Sequence, residues 1–102
     1  MAEVYVIVHP GCVNAIQFPD DNEDVRRNMQ GIMSSKPFFV IGDYESPNKL
    51  HESMIPPSDE LEVKVAGAYL GRDNKWCVNQ QYSALSEKGY NVSVDESACL
   101  KV

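Results

Sequence analysis

Val4-Tyr5-Val6-Ile7-Val8 is an unbroken apolar run of β-branched residues around one tyrosine. A strand with one face in water alternates apolar with polar side chains. A continuous run like this one suits a strand covered on both faces, as in a parallel sheet. The run stops at His9-Pro10-Gly11, where proline cannot donate to a ladder and Pro-Gly favours a turn.

Outward from that strand, the stretch from Cys12 to Asp21 reads as an irregular loop. A helix then starts near Asp21, with cap oxygens on Asp20, Asp21 and Asn22 and first-turn negative charge from Glu23 and Asp24. Val25, Met29, Ile32 and Met33 make one apolar face at helical spacing. Ser34-Ser35-Lys36-Pro37 ends the helix, and Gly31 weakens its interior. Phe38-Phe39-Val40-Ile41 is a second buried strand, so the chain opens with a β-α-β unit whose crossover is right-handed.

Residues 44–60 read as a long irregular loop, punctuated by Ser46, Pro47, Asn48, Pro56, Pro57 and Ser58. Leu50, Met54 and Ile55 could form a short helical turn within it. A third strand spans 61–69; Leu61, Val63 and Val65 alternate with Glu62 and Lys64, so it begins half-exposed and becomes buried at Ala66-Gly67-Ala68. Gly71, Arg72, Asp73 and Asn74 turn the chain, with Asp73 or Asn74 as cap for a helix over 75–88. That helix carries Val78, Tyr82 and Leu85 on one face, and Gly89 stands at its left-handed end. A fourth strand covers 91–94, and 95–102 is a tail or a last edge element. The expected fold is a single α/β domain over residues 1–102. It is a small two-layer or three-layer sandwich, Rossmann-like, with a mostly parallel four-stranded sheet.

The chain of 102 residues is 43% hydrophobic and 24% charged, enough for one self-sufficient core. Its net charge of −6 and scattered lysines and arginines argue against nucleic acid and anionic membranes as partners. No apolar run approaches the ~20 residues that cross a bilayer, and the first residues are strand-like rather than signal-like, which points to the cytoplasm. Three cysteines, Cys12, Cys77 and Cys99, without CxxC spacing, disfavour a disulfide framework and a zinc site.

In open parallel sheets, ligands sit outside the carboxyl ends of the strands. Those ends carry His9, Gly11 and Cys12, then Asp43 and Tyr44, then Tyr69, Gly71 and Arg72, and finally Asp95, Glu96 and Ser97. Cys77 falls in the first turn of the second long helix. Free N–H groups there favour a thiolate and could stabilise an oxyanion. The alternative is a buried small apolar residue, the commoner fate of a free cysteine. His9 could take a proton from Cys12, although a His beside a Cys also arises by chance. His51 falls in the irregular loop and reads as solvated. Asp43 with Asp95 or Glu96 has no metal-site spacing and reads as turn and cap chemistry, so neither metal nor cofactor is expected. Gly42-Asp43 and Gly71-Arg72 make no nucleotide fingerprint.

The run Val65-Ala66-Gly67-Ala68-Tyr69, then Cys77-Val78, Ala84-Leu85, Gly89-Tyr90-Asn91-Val92 and Asp95 to Cys99, resembles the back half of the isochorismatase-like cysteine hydrolases. The resemblance implies a nucleophilic Cys77 at the start of its helix. It also implies a catalytic Asp ending the first strand and a Lys near the end of a middle strand. The first strand here ends in His9-Pro10-Gly11-Cys12, and Lys64 lies on the third strand ahead of its Gly turn, so Cys77 alone carries over. Two functions follow. One is a non-catalytic binding or assembly domain of that descent, self-associating through its sheet edges and open to a small-molecule ligand. The other is a thiol-dependent hydrolase of a small amide or ester, with Cys77 as nucleophile and His9 as base.

Overall fold

A computed structural model describes residues 2–14, 19–50 and 54–102, and within these the backbone alone of 19–22. The strands are β1 (Ala2–Val8), β2 (Phe38–Ile41), β3 (Leu61–Leu70) and β4 (Asn91–Lys101). The helices are α1 (Pro10–Asn14), α2 (Pro19–Ser35) and α3 (Cys77–Lys88). The four strands form one sheet in the order β2-β1-β3-β4, and every neighbouring pair is parallel. The parallel α/β sandwich expected from the apolar runs is therefore the fold.

β1 explains itself by position. It is hydrogen-bonded on both edges, with Val6 opposite Phe39 on β2 and Val65 on β3. Its residues Val4 to Val8 are all buried. From this central pair, β1 to β2 steps one way and β3 to β4 the other. α2 packs against β4, and α3 packs against β3 and β4. Met29 of α2 and Val78 and Leu85 of α3 are buried in the core. No helix among the described residues is long and apolar enough to cross a membrane.

The pleat gives the amino-terminal half of one face a polar lining. Glu3, Tyr5 and their register partners Glu62 and Lys64 share it. Lys64 lies 3.2 Å from Glu3 and 3.6 Å from Glu62, and Lys36 lies 3.5 Å from Glu3. The hydrogen bond from Lys64 and the positive charge of both lysines hold the Glu3 carboxyl below its ordinary range. Burial, with Asp95 beside the ring, pushes the Tyr5 phenol up.

Several boundaries differ from the sequence reading. Residues 10–14 are helical rather than looped, because Pro10 takes the first helical position, where its missing N–H costs nothing. Pro19 does the same for α2, which starts ahead of Asp21. α3 starts at Cys77, with Trp76 as an extended cap residue that makes no side-chain cap bond. Asp73 instead accepts from the Lys75 N–H at 3.0 Å within the turn, and Asn74 from the hydroxyl of Ser83 in the middle of α3 at 3.2 Å. β4 continues past Val94 to Lys101. The C-terminal end of α3 follows expectation. Gly89 sits at φ 102° and its N–H donates to the Ser86 carbonyl, while Tyr90 N–H donates to that of Leu85. Between β2 and β3, the described residues of 44–60 hold no helix or strand. The turn expected over Leu50, Met54 and Ile55 depends on 51–53, and His51 is one of these; both lie outside the described residues. Leu50 and Met54 pack against the core.

Candidate functional site

β1 and β3 stay paired as far as Val8 and Gly67, and beyond them the chain continues into α1 after β1 and towards α3 after β3. A crevice at such a switch point is the usual ligand position of a parallel sheet. The close approach of the two strands there requires Gly67. Its φ is +114°, and a Cβ would meet the Val8 carbonyl oxygen at 2.0 Å.

The first turn beyond β1 brings three groups to this edge. His9 adopts a left-handed φ of 48° and is 8% exposed. Its Nε2 lies 3.2 Å from the carbonyl oxygen of Glu45, an acceptor only, so Nε2 carries the proton. The His9 carbonyl accepts from Cys12 N–H at 3.0 Å and starts α1. The Gly11 N–H donates to Asp43 at 3.0 Å, which draws the chain after β2 across to α1. Cys12 is half-buried beside that carboxylate. Burial first, then Asp43, then the thiol of Cys77, push its pKa up. Cys77 enters from the β3 side as the first residue of α3, half-buried and reduced. Cys12 and Asp43 thus meet at this edge, and the Cys77 thiol is near enough to act on that of Cys12.

The other sequence candidates stand apart. Tyr69 packs edge-on against Trp76, with centroids 6.5 Å apart. Trp76 lies over Gly71, whose backbone is clasped by Asn79 through bonds of 3.0 and 2.9 Å. Tyr69 thus supports the turn before Cys77, and Arg72 is exposed on that turn. Asp95 lies within β4, away from the strand ends. It accepts from the Tyr5 hydroxyl at 3.3 Å and from the Ser97 hydroxyl at 2.6 Å. The separation of Asp43 from Asp95 removes them as a shared oxygen site. Among the described residues, no group of three or more His, Cys, Asp or Glu stands ready to hold a metal ion.

Two residues absent from the sequence reading organise the edge. Glu45 caps its own turn by accepting from Gly42 N–H at 2.9 Å, and its carboxylate lies 3.6 Å from Lys49. Gln81, 0% exposed, sits one helical turn after Cys77. Its Nε2 donates to the carbonyls of Pro47 at 2.7 Å and Lys49 at 3.0 Å, while its buried Oε1 has no partner. Each of these two bonds is worth about 1 kcal/mol net, and the orphaned oxygen costs about 1–3 kcal/mol. The gain from the two Gln81 bonds and the cost of its orphaned oxygen are therefore of similar size. A signal for Gln81 was present in the sequence: a polar side chain at i+4 from Cys77, on the same stripe as Val78 and Leu85.

Comparison of the chain with protein-family models, with curated proteins and with solved structures finds no match.

Proposed function

We propose that the chain is a non-catalytic binding domain of isochorismatase-like descent, taking a small molecule at the crevice between β1 and β3 and self-associating through its sheet edges. One observation supports the non-catalytic part. A thiol that starts protonated needs a base within hydrogen-bond reach to become a nucleophile. His9 instead gives its Nε2 proton to the Glu45 carbonyl, and among the described residues it bonds to neither Cys12 nor Cys77. Self-association rests on β2 and β4 as the two edge strands, each with one unpaired side.

Cys77 favours a second reading, thiol-dependent hydrolysis. It begins a helix of 12 residues without a side-chain cap bond, so first-turn N–H groups remain for an oxyanion. Site-resolved alkylation with iodoacetamide at neutral pH, alongside hydrolysis of a p-nitrophenyl ester, separates the two. Binding without catalysis predicts no preferential labelling of Cys77 over a free thiol and no hydrolysis dependent on Cys77. Rapid, selective labelling of Cys77 with turnover abolished in Cys77→Ala would establish the hydrolase. Light scattering tests the assembly arm. A defined oligomer is expected, and a strict monomer at high concentration contradicts it.

A further inference from the structure

We propose that residues 43–50 form a strap across the β1–β3 crevice and that Gln81 is the latch that holds it shut. The inference rests on the reading of that crevice as the binding site and adds how access to it is controlled.

The strap's attachments straddle the two thiols. At one end, Asp43 accepts from Gly11 N–H, one residue before Cys12. Next, the Glu45 carbonyl accepts from the buried His9 ring at the end of β1. At the other end, the carbonyls of Pro47 and Lys49 accept from Gln81, one turn after Cys77. Side chains on a helix lean toward its N-terminus, so the Gln81 carboxamide lies back over the turn that Cys77 begins. The chain between these anchors therefore runs from α1 to α3 over the gap that separates their cysteines.

The latch is built to release. Gln81 satisfies two strap carbonyls with one nitrogen, and it leaves its own oxygen buried without a donor. Opening the strap gives that oxygen water and frees the two carbonyls to hydrate as well. A fully satisfied anchor would lose on opening. This one exchanges two protein bonds for hydration of three groups, one of which had nothing before. The Glu45–Lys49 ion pair braces the strap internally, and the Glu45–Gly42 bond ties it to the residue where it begins.

The test reads thiol access. In Gln81→Leu, which fills similar volume but cannot donate, iodoacetamide should label Cys12 and Cys77 at least about tenfold faster than in the wild type. Cys99, in the core, should be unaffected, and circular dichroism should be unchanged. A folded Gln81→Leu with wild-type labelling rates overturns the latch. If that variant does not fold, the wild-type protein decides through labelling in low urea. Local opening predicts that Cys77 reacts more slowly than a free thiol but with a shallow urea dependence, while Cys99 reacts with the steep slope of global unfolding. A shared slope, or a Cys77 as fast as a free thiol, refutes the strap. Hydrolysis assigned to Cys77 would overturn the non-catalytic reading and leave this result standing.

Discussion

Gly67 carries the tightest constraint at the scale of single residues. Its positive φ and the Val8 carbonyl at 2.0 Å from any added Cβ leave a side chain no room, and the neighbour is backbone that cannot rotate away. Gly67→Ala should therefore lose about 3 kcal/mol or more, from left-handed strain and overpacking together. Urea unfolding checks this, and a midpoint within error of the wild type would contradict it. The need for glycine here was not legible in Ala66-Gly67-Ala68, which reads as small buried strand residues. It arises from the register shift between β3 and β4 at this point and from the approach of β1, both long-range. Gly89 was legible because its cause is local: a helix ends, and the next residue must turn left-handed.

Among the elements, β4 shows most sharply what a sequence hides. Asp95-Glu96-Ser97 is polar and reads as the start of a tail. The strand nevertheless continues, because Tyr5 reaches Asp95 from β1 and the Asn28 amide of α2 donates to the Ser97 carbonyl at 2.8 Å. The reward is the burial of Ala98, Cys99 and Leu100 against the core. β1, β2 and β3 were readable because each announces itself with its own apolar run. The second half of β4 is held by partners 69 and 90 residues away. Its burial makes a pH prediction. The Cys99 thiol is pushed up to about 12 from an ordinary 9.0, chiefly by burial. The native state keeps a proton that the unfolded chain releases above pH 9. The stabilisation is therefore complete below pH 9 and is lost as pH rises from there through 12, at a limiting slope of about 1.4 kcal/mol per pH unit. Cys99→Ala should flatten the alkaline fall in stability measured by urea titration at stepped pH. An identical fall in the variant would place the titration elsewhere, and burial pushes Tyr5 and Cys12 in the same direction.

For the whole molecule, the strand order β2-β1-β3-β4 is what turns scattered residues into a site. The rule that polar groups gather at the carboxyl edge of a parallel sheet listed Cys12 with Asp43, which the Gly11 N–H bond to Asp43 brings together; Cys77 came from its place in a helix first turn. The rule could not anticipate Glu45 and Gln81, because their roles depend on the path of a segment with no hydrophobic period to set it. It also misplaced Asp95, because β4 runs further than its apolar part. The central claim is that parallel β1 and β3 deliver Cys12 and Cys77 to the same crevice, although 64 residues separate them in the chain. Short-span thiol cross-linking tests it most directly: the native protein is treated with bismaleimidoethane and the linked peptides are identified by mass spectrometry. The fold predicts an intramolecular Cys12–Cys77 link formed in dilute solution, with Cys99 unlinked in its core position. Single modification of both Cys12 and Cys77 without any link between them would contradict it.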